Sequence, residues 1–130
     1  MDTLKDLKIK EFRQSLQNLK AAAGLEYSDI SRDSTLLRFE LVSEIAWKVL
    51  KIYLEEKFQI QSVYPTEIYR EAGKARVMSM EDVECALEMV HDRNRMVHDY
   101  NQNWSEELYK KIVTNHIPLF EKISLAVLKE

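Results

Sequence analysis

The chain has 130 residues, a formal net charge of −3, and 45% hydrophobic and 32% charged residues. That balance suits a single globular domain over residues 1–130 and excludes a disordered chain. The net acidity excludes a broad basic face, so any RNA or nucleotide contact must rest on a local cluster. Two glycines and two prolines are too few for a turn-rich β protein and point to long helices. No apolar run approaches the roughly 18–20 residues that a membrane span requires. Met1-Asp2-Thr3-Leu4-Lys5-Asp6 carries charge with no apolar block behind it, so no signal peptide is expected. Cys85 has no internal disulfide partner. A reducing cytoplasm is the expected setting.

Leu4, Leu7, Phe12, Leu16 and Leu19 recur at helical spacing, which predicts a first helix over about residues 3–23 with Gly24 as a left-handed cap. Residues 25–33 read as a polar loop. A longer helix follows over about 33–58, with apolar positions Leu37, Leu41, Ile45, Val49, Leu50, Ile52 and Leu54 flanked by Phe39, Trp47 and Tyr53. Coverage that wide predicts burial on more than one side. Glu44 and Lys48 form an i,i+4 pair on its wetter face.

Pro65 suits the first position of a short helix that ends near Gly73. Ser79 then reads as the N-cap of a helix running through Val83, Leu87, Val90 and Val97, with Asp82 reaching back. Asn103 or Ser105 can cap a last helix, with Glu106 and Glu107 in its first turn and Leu108, Ile112, Ile117, Phe120, Ile123 and Val127 as its apolar stripe. Pro118 predicts a kink near Asn115. The fold class is therefore all-α, an up-down bundle of four long helices plus one short helix.

The chemistry concentrates in Arg93-Asn94-Arg95-Met96-Val97-His98-Asp99-Tyr100. Arg binds phosphate oxygens bidentately and His moves protons near neutral pH. His98 can take a proton from a ribose 2′-hydroxyl or give one to the leaving oxygen, and Arg93 can stabilise the charge that develops on the phosphate. Asn94 can orient His98 or bind a phosphate oxygen. This chemistry needs neither a metal nor an organic cofactor. Asn94 and His98 lie about 40° apart on a helix and share a face. Arg93 and His98 lie roughly 140° apart, so they converge only if the last turn loosens, if Arg93 reaches around, or if a second subunit supplies one member. The bland alternative makes Arg93 and Arg95 dipole-matched cations at a helix C-terminus and His98 a partly exposed cap.

Arg93-Asn94-x-x-x-His98 resembles the Arg-x-x-x-x-His motif of the HEPN superfamily, and Tyr100 completes its His-x-Tyr extension. Arg38-Phe39-Glu40, Glu44-x-Ala46-Trp47-Lys48-x-Leu50 and Tyr53-Leu54-Glu55 resemble the long second helix of the nucleotidyltransferase substrate-binding protein family. Pro65-x-x-x-x-Arg70-Glu71-Ala72, Asp92-Arg93-Asn94 and Ile117-Pro118-Leu119 extend the resemblance over about residues 10–125. It implies a homodimeric helical bundle that partners a minimal nucleotidyltransferase, either as its substrate-binding subunit or as a ribonuclease toxin silenced by it. It also implies Arg93 and His98 as the catalytic pair, Asn94 as helper, and Tyr100 as the residue that the partner adenylylates. Arg95 also precedes His98, and only family position favours Arg93 over it.

Other residues carry milder expectations. Glu88-x-x-His91 is half of a ferritin-like di-iron motif, but neither His98 nor His116 has a Glu three residues earlier. Glu40 and Glu44 at i,i+4 read as a solvated or salt-bridged face in preference to a Mg²⁺ or Mn²⁺ site. The sharper alternative has one of them orienting the Arg93 cluster. Trp47 is expected in the core or a dimer interface, and the methionines as dispersed packing fillers. Cys85 is expected to be an inert small apolar residue, and His116 to be exposed.

Overall fold

The computed structural model describes residues 2–96 and 101–129. Helix α1, Leu4–Ala23, is opened by Thr3, whose hydroxyl accepts from the Asp6 N–H at 3.1 Å while the Asp6 carboxylate accepts from the Thr3 N–H at 3.2 Å. Phe12, Leu16 and Leu19 bury as the spacing predicts, joined by Ile9, whereas Leu4 and Leu7 stay exposed. Gly24 ends α1 in a right-handed conformation (φ −84°), not the left-handed cap expected. Its N–H already reaches the Lys20 carbonyl at 3.0 Å, so no reversal is needed.

Helix α2, Asp29–Phe58, starts four residues earlier than the sequence suggests. Ser28 accepts from the Ser31 N–H at 3.0 Å, and the Ser31 hydroxyl accepts from the Ser28 N–H at 2.8 Å. Two serines here take the parts of the usual Ser and Glu. The buried face is rotated from the one read in sequence. Leu36, Phe39, Val42, Ala46, Val49, Leu50, Tyr53 and Leu54 are buried, while Leu37 and Leu41 are 61% and 55% exposed. Gln59 closes α2 in the left-handed region (φ 56°).

Helix α3, Pro65–Lys74, has Pro65 in its first turn as predicted. Helix α4, Met80–Arg95, is capped by Ser79, which accepts from the Asp82 N–H at 3.0 Å. The Asp82 carboxylate does not reach back to complete the cap. It takes Lys122 instead, at 3.1 Å. Val97, the last apolar position predicted for this helix, lies outside the described residues.

Helix α5, Gln102–Lys111, is capped by Asn101, not Asn103 or Ser105: the Asn101 side chain accepts from the Trp104 N–H at 3.0 Å. Ser105 is buried and its hydroxyl donates to the Asn101 carbonyl. Glu106 and Glu107 consequently fall outside the first turn. The helix then widens into a π-turn, Ile112–His116, and continues as α6, Ile117–Ala126. The Ile117 N–H bonds to the Ile112 carbonyl, five residues back. Pro118 explains the widening. It donates no N–H, and its ring crowds the carbonyl four residues earlier, so the chain opens a turn near the predicted kink.

Lys5 pairs with Glu56, which sets α1 antiparallel to α2. Asp82–Lys122 and Asp92–Lys111 set α4 antiparallel to the α5–α6 helix. With α1, α2, α4 and the α5–α6 helix long and α3 short, the all-α bundle matches expectation. Phe120 meets both Phe12 and Phe39 in the core, with ring centroids 6.3 and 6.1 Å away. Met78 and Met89 are buried fillers as expected, but Met80 is exposed. Among the described residues, no helix is long and apolar enough to cross a membrane.

Gly73 sits where α3 meets α4. A Cβ there would stand 2.7 Å from Val83 Cγ2 and 3.3 Å from Met80 Sδ. Gly73→Ala gains helix propensity, but the stiff, buried Val83 cannot yield easily. Chemical denaturation should show a net destabilisation of about 1 kcal/mol; a stabilised variant would refute the packing account.

Candidate functional site

The last turn of α4 carries Arg93, Asn94 and Arg95. Arg93 is one-third exposed and faces α2, with its NH2 group 4.0 Å from Glu44 Oε2. Its NH1 donates weakly to Asn94 Oδ1 at 3.4 Å. Its Nε is buried and has no hydrogen-bond partner among the described residues. Among the described residues, the guanidinium is thus steered by one carboxylate at the edge of ion-pair distance.

Glu44 is itself fixed. Trp47 Nε1 donates to its Oε2 at 3.2 Å and Lys48 Nζ bonds its Oε1 at 3.2 Å. Partial burial would raise the Glu44 carboxyl, but the Trp47 N–H, the Lys48 ammonium and the Arg93 guanidinium outweigh it and hold it below the usual carboxylate range. Trp47, half-buried, therefore serves the site as well as the packing against the core. Glu40, one turn earlier, makes no hydrogen bond or ion pair among the described residues. Of the two carboxylates, the structure brings only Glu44 to Arg93.

Arg95 lies on another face, because residues two apart on a helix point roughly 200° apart. Its guanidinium sits 4.8 Å from the Trp104 ring centroid on α5. The two arginines that chemistry could not tell apart are separated by their neighbours. His98 and Tyr100 lie outside the described residues. His91 is exposed, and Glu88 of the di-iron half-motif is paired with Lys111 at 2.6 Å. Cys85 is partly buried, and burial with the nearby Asp82, Glu81 and Glu88 carboxylates raises its thiol.

The reading of His116 as exposed is overturned: it is 1% exposed. Its Nε2 lies 2.8 Å from Asp92 Oδ2, and its ring stacks on Phe39 with centroids 5.2 Å apart. A carboxylate only accepts, so Nε2 carries the hydrogen. Lys111 Nζ reaches the same Asp92 oxygen at 2.8 Å. Burial would raise the Asp92 carboxyl, but the bonds from His116 and Lys111 outweigh it and hold it low. Burial would likewise lower the Lys111 ammonium, but Asp92 and Glu88 outweigh it and hold it high. Sequence reading missed this group. The one available signal was the i,i+4 pair Glu88 and Asp92, which marks a single acidic face on α4.

The chain is thus a helical bundle that presents an arginine at one helix end against a carboxylate on the long second helix. The chain belongs to the nucleotidyltransferase substrate binding protein like family, whose sequence model matches residues 7–129. A solved protein of Thermus thermophilus is 30% identical, with a TM-score of 0.85 over 91% of this chain and 99% of that one. The tri-AMPylated HEPN toxin of Shewanella oneidensis, solved in complex with its MNT antitoxin, is 16% identical with a TM-score of 0.80 over the whole of both chains. A mutant of the MntA–HpeT toxin–antitoxin is 15% identical, with a TM-score of 0.79 over 97% of this chain and 98% of that one. The last two establish a shared fold. No curated protein matches the chain in sequence.

The Asp92 pair predicts a pH dependence. Its folded-state pKa lies below the ordinary 3.8, so its stabilisation is present above that value and is lost as pH falls through the lowered one. Asp92→Asn should cost about 2 kcal/mol at pH 7. Its deficit against the native chain should shrink toward pH 3 in denaturant titrations; an unchanged deficit would refute the assignment.

Proposed function

We propose that this chain is the HEPN-type member of a toxin–antitoxin pair whose other member is a minimal nucleotidyltransferase, and that it cleaves RNA. Family membership and the fold shared with HEPN toxins solved beside MNT antitoxins support the pairing. The observation that carries the chemistry is Arg93, one-third exposed and held by Glu44 only at 4.0 Å, the edge of ion-pair distance.

In this reading His98 takes the proton of a ribose 2′-hydroxyl. The 2′-oxygen attacks phosphorus, a 2′,3′-cyclic phosphate forms, and the 5′-oxygen leaves with a proton. Arg93 stabilises the charge on the non-bridging oxygens, Asn94 assists, and Glu44 aims Arg93. A homodimer brings two such motifs together and concentrates positive charge despite the acidic whole. Leu37 and Leu41, exposed on α2 on the turns before Glu44, form the apolar strip beside the site. The partner silences the toxin by adenylylating Tyr100: the phenol oxygen attacks the α-phosphorus of ATP and pyrophosphate leaves.

The family description favours a second reading, a non-catalytic module that presents a nucleotide substrate or Tyr100 itself to the nucleotidyltransferase. Cleavage of a model RNA decides between them. His98→Ala and Arg93→Ala should each slow it by about a hundredfold or more. Cleavage as fast as the native chain's removes the catalytic assignment, and none by the native chain favours the module. Intact mass after incubation with partner and ATP should show adenylate that Tyr100→Phe abolishes.

The double substitution Leu37→Lys, Leu41→Lys should convert a dimer to monomer in light scattering. A persistent dimer would place the two-fold axis elsewhere.

A further inference from the structure

His116 and Asp92 are 1% and 4% exposed, so neither can touch an RNA or a nucleotide. Asp92 nevertheless directly precedes Arg93, and it is the last buried side chain of α4. Its carbonyl accepts from the Met96 N–H at 3.2 Å, the bond that closes the final turn. A helix end one turn from its last buried anchor would otherwise fray. We infer that His116 is a positioning residue: through its Nε2–H bond to Asp92 it braces the last turn of α4 and so aims Arg93.

Three features of the fold serve this brace together. The π-turn Ile112–His116 inserts an extra residue into the α5–α6 helix and so sets the direction in which His116 points. Phe39 of α2 stacks on the ring and fixes its plane, five residues before Glu44 meets Arg93. Lys111 holds the same carboxylate oxygen from one turn earlier. His116 Nδ1 has no hydrogen-bond partner among the described residues, so Nε2 is the ring nitrogen that ties His116 to its surroundings. The arrangement resembles the outer partner that orients a working side chain, here acting through the backbone of the next residue.

The inference rests on Arg93 acting as read above, but part of its test does not need catalysis. His116→Phe keeps the stack on Phe39 and removes the donor. His116→Gln restores an N–H at nearly the same reach. In the full chain, amide exchange at Met96 should quicken about tenfold in His116→Phe relative to Ala86, in the same helix, and return in His116→Gln. On a model RNA, His116→Phe should lower the saturated rate on the order of tenfold to a hundredfold with little change in KM, again rescued by Gln. If His116→Phe does not fold, Asp92→Leu removes the acceptor and must show the same Met96 exchange. Unchanged Met96 exchange in a folded variant overturns the brace. A native chain that cuts no RNA overturns the cleavage reading, and the brace then stands or falls on Met96.

Discussion

A buried carboxylate has to be paired, and Asp92 is the place where this bundle meets that requirement. An ionised side chain removed from water costs several kcal/mol unless hydrogen-bonded cations or donors replace the lost hydration. Asp92 obtains both from one stretch of chain, Lys111 at the end of α5 and His116 at the end of the π-turn. That demand fixes α4 against the α5–α6 helix, and it gives the π-turn a reason to persist. A regular helix through 112–116 would turn His116 away from Asp92 and off the face of Phe39. The proline two residues later opens the turn, and the carboxylate stabilises it once open.

The contact between Arg93 and Glu44 is of the opposite kind. At 4.0 Å and partly solvated it contributes little as a stabilising pair. Its value is directional. A guanidinium locked bidentately in a buried pair could not be offered to another anion, whereas one held at the edge of contact can. The two arginines of the motif are therefore separated by helix face, Arg93 toward the α2 carboxylate and Arg95 over Trp104. Helix α2 is the common reference for both arrangements. It carries Phe39 beneath His116 and Glu44 beside Arg93, so its rotation sets the site's geometry as well as the core.

Much of this was legible in the residues. Helical spacing, scarce Gly and Pro, and the cap at Ser79 specify an all-α chain, because period and capping are local properties. The resemblance carried by Glu44-x-Ala46-Trp47-Lys48 and Arg93-Asn94 pointed to the family that the match over residues 7–129 establishes. The errors have physical causes. Ser28 and Ser31 formed a reciprocal cap without a Glu, so α2 began before its expected start. Leu37 and Leu41 read as core because hydrophobicity marks burial without saying in what. They are exposed in the single chain.

The sequence by itself determined the helices, the motif's residue types and the acidic balance, since each depends on neighbours within a few positions. Only the tertiary structure decided which carboxylate meets Arg93, which face of α2 is buried, and that His116 turns inward. Those outcomes depend on residues 24 and 49 positions apart, Asp92 with His116 and Glu44 with Arg93, brought together by packing that no local pattern encodes.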